Sequence, residues 1–267
     1  MRKIWVYGDS FAAPGEGDAK SWTDILGELL SLPVSNVAVN GASTEYAIKQ
    51  FVDGVHGDAF NDEDIIIFVN SSVGRIHFQY QNQQPHTAVW KNGEGYDLSD
   101  PKHHWFTYNR QHLEWYLTSI DLHVSSIAHE GFLHILKNFA ETRNGPVMVL
   151  SNMSHNLDMP MGTIPKNFLR PKIFLNEIAV SEVTGRLSYN EWVKHTGNDL
   201  RMNHMSNNNL NMLARLVAQA FAHLDADCLT YDRFEKNVFE PVKNKAQYAE
   251  YVEQGKLYPN RMNDLKG

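Results

Sequence analysis

Short apolar runs and helical stripes alternate along the first 75 residues. Lys3 to Tyr7 is β-branched and aromatic and ends in Gly8-Asp9-Ser10, the pattern of a buried strand running into a turn. Trp22, Ile25, Leu26, Leu29 and Leu30 then recur at helical spacing, and Pro33 closes that segment. Val37 to Val39 reads as a second short strand, stopped by Asn40-Gly41, and Ala47, Ile48, Phe51, Val52 and Val55 form a second helical stripe. Asp64 to Val69 is a continuous apolar run suited to burial on both faces. Strand, helix, strand, helix, strand with short links implies right-handed crossovers and a parallel sheet covered on both sides.

The periodicity breaks from Ile76 to about Ser125, where Gln, Asn, His and aromatics replace it. It resumes with a helical stripe of Phe132, Ile135, Leu136, Phe139 and Ala140, and with a strand at Val147 to Leu150 that ends in Ser151 and Asn152. The stretch from His155 to Asn190 is irregular and contains three prolines, with one more strand expected near Ile173 to Val180. Ser206 opens a long helix carrying Leu210, Leu213, Val217, Ala220, Phe221 and Leu224 on its apolar face. A short helix is expected around Tyr248 to Val252 in an otherwise polar end. The organisation is therefore one domain over 1–225, with an insertion at about 76–125 after strand three, and a polar C-terminal extension over 226–267.

Composition narrows the classes. At 267 residues, 42% hydrophobic and 21% charged, the chain can bury one large core and is not intrinsically disordered. A net charge of −7 argues against a phosphate-backbone binder, so no nucleic-acid partner is expected. One cysteine, Cys228, makes no internal disulfide, which suits a reducing compartment. The apolar run after Met-Arg-Lys is too short for a secretory signal, and no stretch approaches the ~18 apolar residues of a membrane span. The expectation is a soluble, cytoplasmic protein without a membrane partner.

The chemistry suggested by the sequence is one of position. Ser10, Gly41, Asn70-Ser71-Ser72 and Ser151-Asn152 each closely follow a predicted parallel strand. The carboxyl ends of parallel strands share one edge, and ligands bind in the crevice there. His204, just ahead of the long helix, can reach the same edge. A serine hydroxyl needs a base within hydrogen-bond reach to act as a nucleophile, and imidazole can take and return a proton near neutral pH. Taken singly, Ser10 also fits a helix N-cap and His204 a surface histidine.

In this order the blocks resemble those of the SGNH (GDSL-like) hydrolases, esterases and deacetylases on a flavodoxin-like three-layer α/β/α sandwich. Gly8-Asp9-Ser10 matches the first block of that family. Gly41, within Asn36-Val-Ala-Val-Asn-Gly-Ala-Ser43, matches the glycine after strand two, and His204-Met-Ser206 the histidine entering the last helix. The resemblance implies Ser10 as nucleophile and His204 as general base, with the backbone N–H groups of Ser10 and Gly41 in an oxyanion hole. A preorganised donor of that kind contributes roughly 3–4 kcal/mol. The family also places an Asn within Gly-x-Asn-Asp after strand three. Here the run is Val69-Asn70-Ser71-Ser72-Val73-Gly74-Arg75, and Asn70 is preferred over Ser71 and Ser72 as the third donor.

The acid departs from the family spacing. Arg201 occupies the position three before the histidine, and Asp199 lies five before it. On a helix, five residues turn a side chain about 140° away, so Asp199 could hold the imidazole only from an extended or looped segment. Otherwise a backbone carbonyl does so and the pair is a Ser-His dyad. The ending Asp199…Asn203-His204-Met-Ser206 is similar to that of SGNH-like proteins of tailed bacteriophages, which implies the virion as a further location.

Nine aromatics, among them Trp105, fall within residues 76–116, interleaved with amides and guanidinium groups. Flat rings beside such donors suit sugars, an oligomer interface or a small core of the insertion's own. Arg75 could hold an anionic group. Eight of the thirteen histidines lie between His77 and His134, but His129 and His134 are five apart, where a zinc helix needs four. No metal and no cofactor are expected, and Gly8, Gly15 and Gly17 do not have the spacing of a nucleotide loop. The expected function is a serine esterase or deacetylase acting on a carboxylic ester, with an O-acetylated carbohydrate as candidate substrate. The alternative is an inactive SGNH-fold binding or structural protein with a carbohydrate or protein partner. The oligomeric state is open.

Overall fold

The longest apolar run becomes the central strand. In the computed structural model, which describes residues 1–15, 20–40, 42–71, 122–152, 162–184, 204–242 and 244–257, β3 (Ile65–Asn70) is buried along its whole length. It pairs in parallel with β1 (Ile4–Tyr7) on one side and β4 (Val147–Ser151) on the other. The short β2 (Val34–Asn36) lies outside β1, and β5 (Phe168–Leu169) outside β4. The five strands are all parallel, in the order β2-β1-β3-β4-β5. That order is the flavodoxin-like one, and its chain reverses direction across the sheet between β1 and β3.

Each strand shows alternate residues to two helical layers. Ile4, Val6, Ile65, Ile67, Val69, Met148 and Leu150 face α1 (Trp22–Leu30), α4 (Leu175–Ser181) and α5 (Asn207–His223). Tyr7, Ile66, Phe68, Val147 and Val149 face α2 (Thr44–His56) and α3 (Leu122–Glu141). The predicted stripes supply most of the buried faces of these helices: Leu26 on α1, Ile48 and Phe51 on α2, Leu136 on α3, Leu213 and Val217 on α5. Leu29 and Ile135, however, are exposed, and Leu224 is the exposed, left-handed C-cap of α5 rather than part of its apolar face. The fold is a three-layer α/β/α sandwich. Among the described residues no helix is long and apolar enough to cross a membrane.

Three elements differ from the sequence expectation, the first being β5, a two-residue strand within the stretch that reads as irregular. The second strand is Val34–Asn36 rather than Val37 to Val39, because pairing begins where Ile4 donates to the Pro33 carbonyl and Ile4 lies opposite Val34. Residues Val37 and Val39 still donate to the carbonyls of Val6 and Gly8, beyond the end of the ladder. The segment near Ile173 to Val180 is the helix α4, not a strand. It is buried on nearly every side, and a short apolar run of that kind has no period by which the two can be told apart. Of the insertion at 76–125, the described part is 122–125, the first turn of α3.

The C-terminal extension carries α6 (Lys245–Glu253) and a small core of Phe239, Val242, Tyr248 and Leu257. It joins the main body where Thr184 donates to the Phe239 carbonyl at 2.7 Å and Asn237 donates to the Ser181 carbonyl at 2.9 Å.

At the opposite, amino-terminal edge of the sheet, Asp64 is a buried carboxylate that ties the start of β1 to the turn before β3. It accepts from the backbone N–H of Lys3 (2.7 Å), the indole of Trp5 (2.9 Å) and the backbone N–H of Asn61 (3.0 Å). Burial alone would push its carboxyl up, but those donors and the charge of Arg143 hold it below the usual carboxylate range. A folded pKa depressed below the unfolded value of about 3.9 stabilises the fold above that pH, and the contribution is lost as pH falls through the folded pKa. Wild-type protein is therefore expected to lose urea resistance below about pH 4 more steeply than Asp64→Asn. Equal slopes would show that Asp64 is not the linked group.

Candidate active site

The carboxyl ends of β1, β3 and β4 gather polar side chains at the crossover point. β1 runs into Gly8, whose φ is +148° and whose α-carbon leaves no room for a side chain: an added Cβ would lie 2.8 Å from the Val69 carbonyl oxygen. This close approach sets the start of the turn that carries Ser10. Asp9 defines the rest of it. Its carboxylate is fully buried and accepts from the Phe11 N–H at 3.0 Å and from the Asn152 amide at 3.0 Å. Its carbonyl accepts from Ala12 and Ala13. Ser10 is left half-buried between these anchors.

His204 comes to the same edge from far along the chain. The residue is 9% exposed, and its ring lies 4.9 Å from the ring of Phe11, the residue after Ser10, at an interplanar angle of 48°. Phe11 is fixed in turn through its carbonyl, which accepts from the Trp22 indole at 2.7 Å. Nδ1 of His204 is buried and has no hydrogen-bond partner among the described residues.

Asn70, the last residue of β3, is 2% exposed, and neither atom of its side-chain amide has a partner among the described residues. Its carbonyl accepts from the Asn152 N–H at 2.9 Å, joining the ends of β3 and β4. Ser71 donates its N–H to Thr44 Oγ1 at 3.0 Å, at the start of α2, while its own hydroxyl is buried and has no partner among the described residues. The hydroxyl of Ser151 and the side-chain carbonyl oxygens of Asn152 and Asn176 are likewise buried without partners among the described residues. Because the Asn152 amide nitrogen is committed to the Asp9 carboxylate, its oxygen is left as an acceptor directed elsewhere.

An unsatisfied buried polar atom costs about 1–3 kcal/mol, and natural folds hold few of them. Among the described residues, several such atoms lie at this one edge of the sheet. Neither protein-family models nor curated proteins give a match to this chain. The chemistry of the edge is therefore what bears on function. A hydroxyl on an anchored turn, an imidazole against the adjoining ring and an open amide are the groups that acyl transfer uses.

Ser10, His204, Asn70 and Ser71 are thus brought to one edge. Gly41, Ser72, Arg75, Trp105 and Asp199 lie outside the described residues. The pairing of Asp9 with Asn152, and the presence of Asn176, were not assigned from sequence. Asp9 and Asn152 each sit at a strand end, which was the available signal; Asn176 follows from no pattern. Elsewhere, His129 is fully buried 3.7 Å from Glu45, while His134 is exposed on another face of α3. Burial would raise the Glu45 carboxyl, but His129 and Ser43 hold it below its ordinary value.

Proposed function

We propose that this chain is a serine hydrolase of the SGNH type that cleaves a carboxylic ester, with an O-acetylated carbohydrate as substrate class. The observation that carries the reading is the contact between His204 and Phe11, which brings an imidazole to the turn of Ser10 at the crossover point of the sheet. The open amide of Asn70 at the neighbouring strand end adds to it.

In the reaction, Ser10 Oγ attacks the ester carbonyl as His204 Nε2 takes the hydroxyl proton. The carbonyl oxygen becomes an oxyanion held by the N–H groups of Ser10 and Gly41 and by the Asn70 amide. Collapse expels the alcohol, which leaves with the proton from His204, and the acyl group stays on Ser10. Water then attacks the acyl-enzyme, giving its proton to His204, and the acid departs as Ser10 recovers its own. Nδ1 of His204 is buried, and Asp199 is the candidate to accept a hydrogen bond from it. No cofactor enters these steps. Trp105 and Arg75 are the candidates for holding the sugar and an anionic substituent. The compartment is the cytoplasm, or the virion if the gene is a phage's.

A binding or structural protein on the same fold is favoured by one observation, the absence of a described partner for His204 Nδ1. A fluorophosphonate probe separates the two. Labelling at Ser10 in the wild type, lost in Ser10→Ala, is expected for the hydrolase; a folded wild type that does not label would overturn it in favour of the binder.

A further inference from the structure

The turn that delivers His204 is not held by local sequence. Residues 204–206 are all buried, so their backbone groups must find partners inside the protein. Ser206 caps α5 in the ordinary way, its hydroxyl accepting from the Asn209 N–H. In α1 the reciprocal half of such a cap is local: Asp24, three residues on, accepts from the N–H of the capping Ser21 at 2.7 Å. In α5 the equivalent residue is Asn209, and it does not turn back. The acceptor comes instead from Glu182, just past the end of α4. Both its carboxylate oxygens accept from the Ser206 N–H, at 2.8 and 3.0 Å, and one accepts from the Asn209 amide at 2.6 Å.

Glu182 is fully buried. Burying a carboxylate is expensive, and a neutral residue could cap a helix at lower cost. What the carboxylate adds is position: it grips the N–H two residues after His204, with a reach that a shorter side chain lacks. The C-terminal extension closes the other side. Asn207 donates its N–H to the Lys256 carbonyl at 3.0 Å, and Glu235 donates its N–H to the Asn209 side chain at 2.8 Å.

We propose that Glu182 is a positioning residue for His204, fixing the turn so that the imidazole stays against Phe11 and within reach of Ser10. As a statement about catalysis it rests on the ester-hydrolase reading; as a statement about the ring it does not.

The test uses the full chain with Glu182→Asp, which keeps the charge but shortens the reach, and Glu182→Gln, which keeps the reach. Two quantities are read on folded protein: the ring-proton resonances of His204 in isotope-labelled protein, assigned with His204→Gln, and the hydrolysis of p-nitrophenyl acetate. In the wild type the Phe11 ring, 4.9 Å away, is expected to displace the His204 resonances from the free-histidine position. Glu182→Asp is expected to move them toward the free-histidine position and to lower kcat by about ten-fold or more, because small misplacements of a base are costly. KM is expected to stay within about two-fold, and Glu182→Gln to restore most of both. Displaced resonances in Glu182→Asp without any wild-type hydrolysis would support the positioning role while removing the hydrolase reading. Resonances unchanged in Glu182→Asp, even with a lower thermal midpoint, would overturn the positioning role whatever the activity.

Discussion

Ser10→Ala is expected to lower kcat for p-nitrophenyl acetate by at least about 10³-fold, because the nucleophile of an acyl-enzyme mechanism has no substitute. The loss should come without unfolding. The turn around Ser10 is held through Asp9, whose carboxylate and carbonyl accept from Phe11, Asn152, Ala12 and Ala13. Ser10 itself is only half-buried. Removing its hydroxyl therefore leaves these bonds in place, and the thermal midpoint should stay within about 2 °C of wild type. Side-by-side kinetics and thermal denaturation check both halves. A folded Ser10→Ala that hydrolyses the ester at the wild-type rate would remove Ser10 from the reaction and with it the hydrolase reading.

What could be read in the sequence follows from where burial writes a pattern. β3 is covered on both faces, so it appears as an uninterrupted apolar run. α5 is covered on one face, so it appears as a stripe at helical spacing. β2 is three residues at the sheet edge, and its register is fixed by β1 rather than by its own composition. α4 is buried nearly all round and reads as a strand for the same reason that β3 reads correctly.

The candidate site divides along the same line. Ser10, Asn70 and Asn152 follow strands of a parallel sheet, and topology alone brings strand ends together. Which side chain then meets which depends on tertiary contacts over long separations. The bond from Asn152 to Asp9 spans 143 residues, and that from Ser206 to Glu182 joins two segments with a stretch of no clear period between them. Nothing in the spacing of the chain could have paired them.

Asn70→Ala separates activity from stability in the opposite way from a core truncation. The Asn70 side chain is buried and has no hydrogen-bond partner among the described residues, so among them it contributes no hydrogen bond to folding and leaves two polar atoms out of water. Its structural role runs through the backbone, where the carbonyl accepts from Asn152, and alanine keeps that bond. Deleting the amide relieves the polar penalty but opens a small cavity, and the two effects oppose each other. The net change in stability is expected to stay within about 1 kcal/mol, against the 2–5 kcal/mol typical of a large core residue cut to alanine. Activity should respond strongly: loss of one oxyanion donor lowers kcat by about 10²–10³-fold while KM stays nearly constant, because the amide acts on the charge that forms in the transition state. Ser71→Ala is the control for register. Its N–H is committed to Thr44, and if Asn70 is the donor its hydroxyl can be removed with kcat unchanged to within about three-fold. Kinetics and urea unfolding of both variants decide the matter. A destabilised Asn70→Ala with wild-type kcat would make Asn70 a packing residue, and a large loss in Ser71→Ala instead would move the oxyanion donor one residue along the chain.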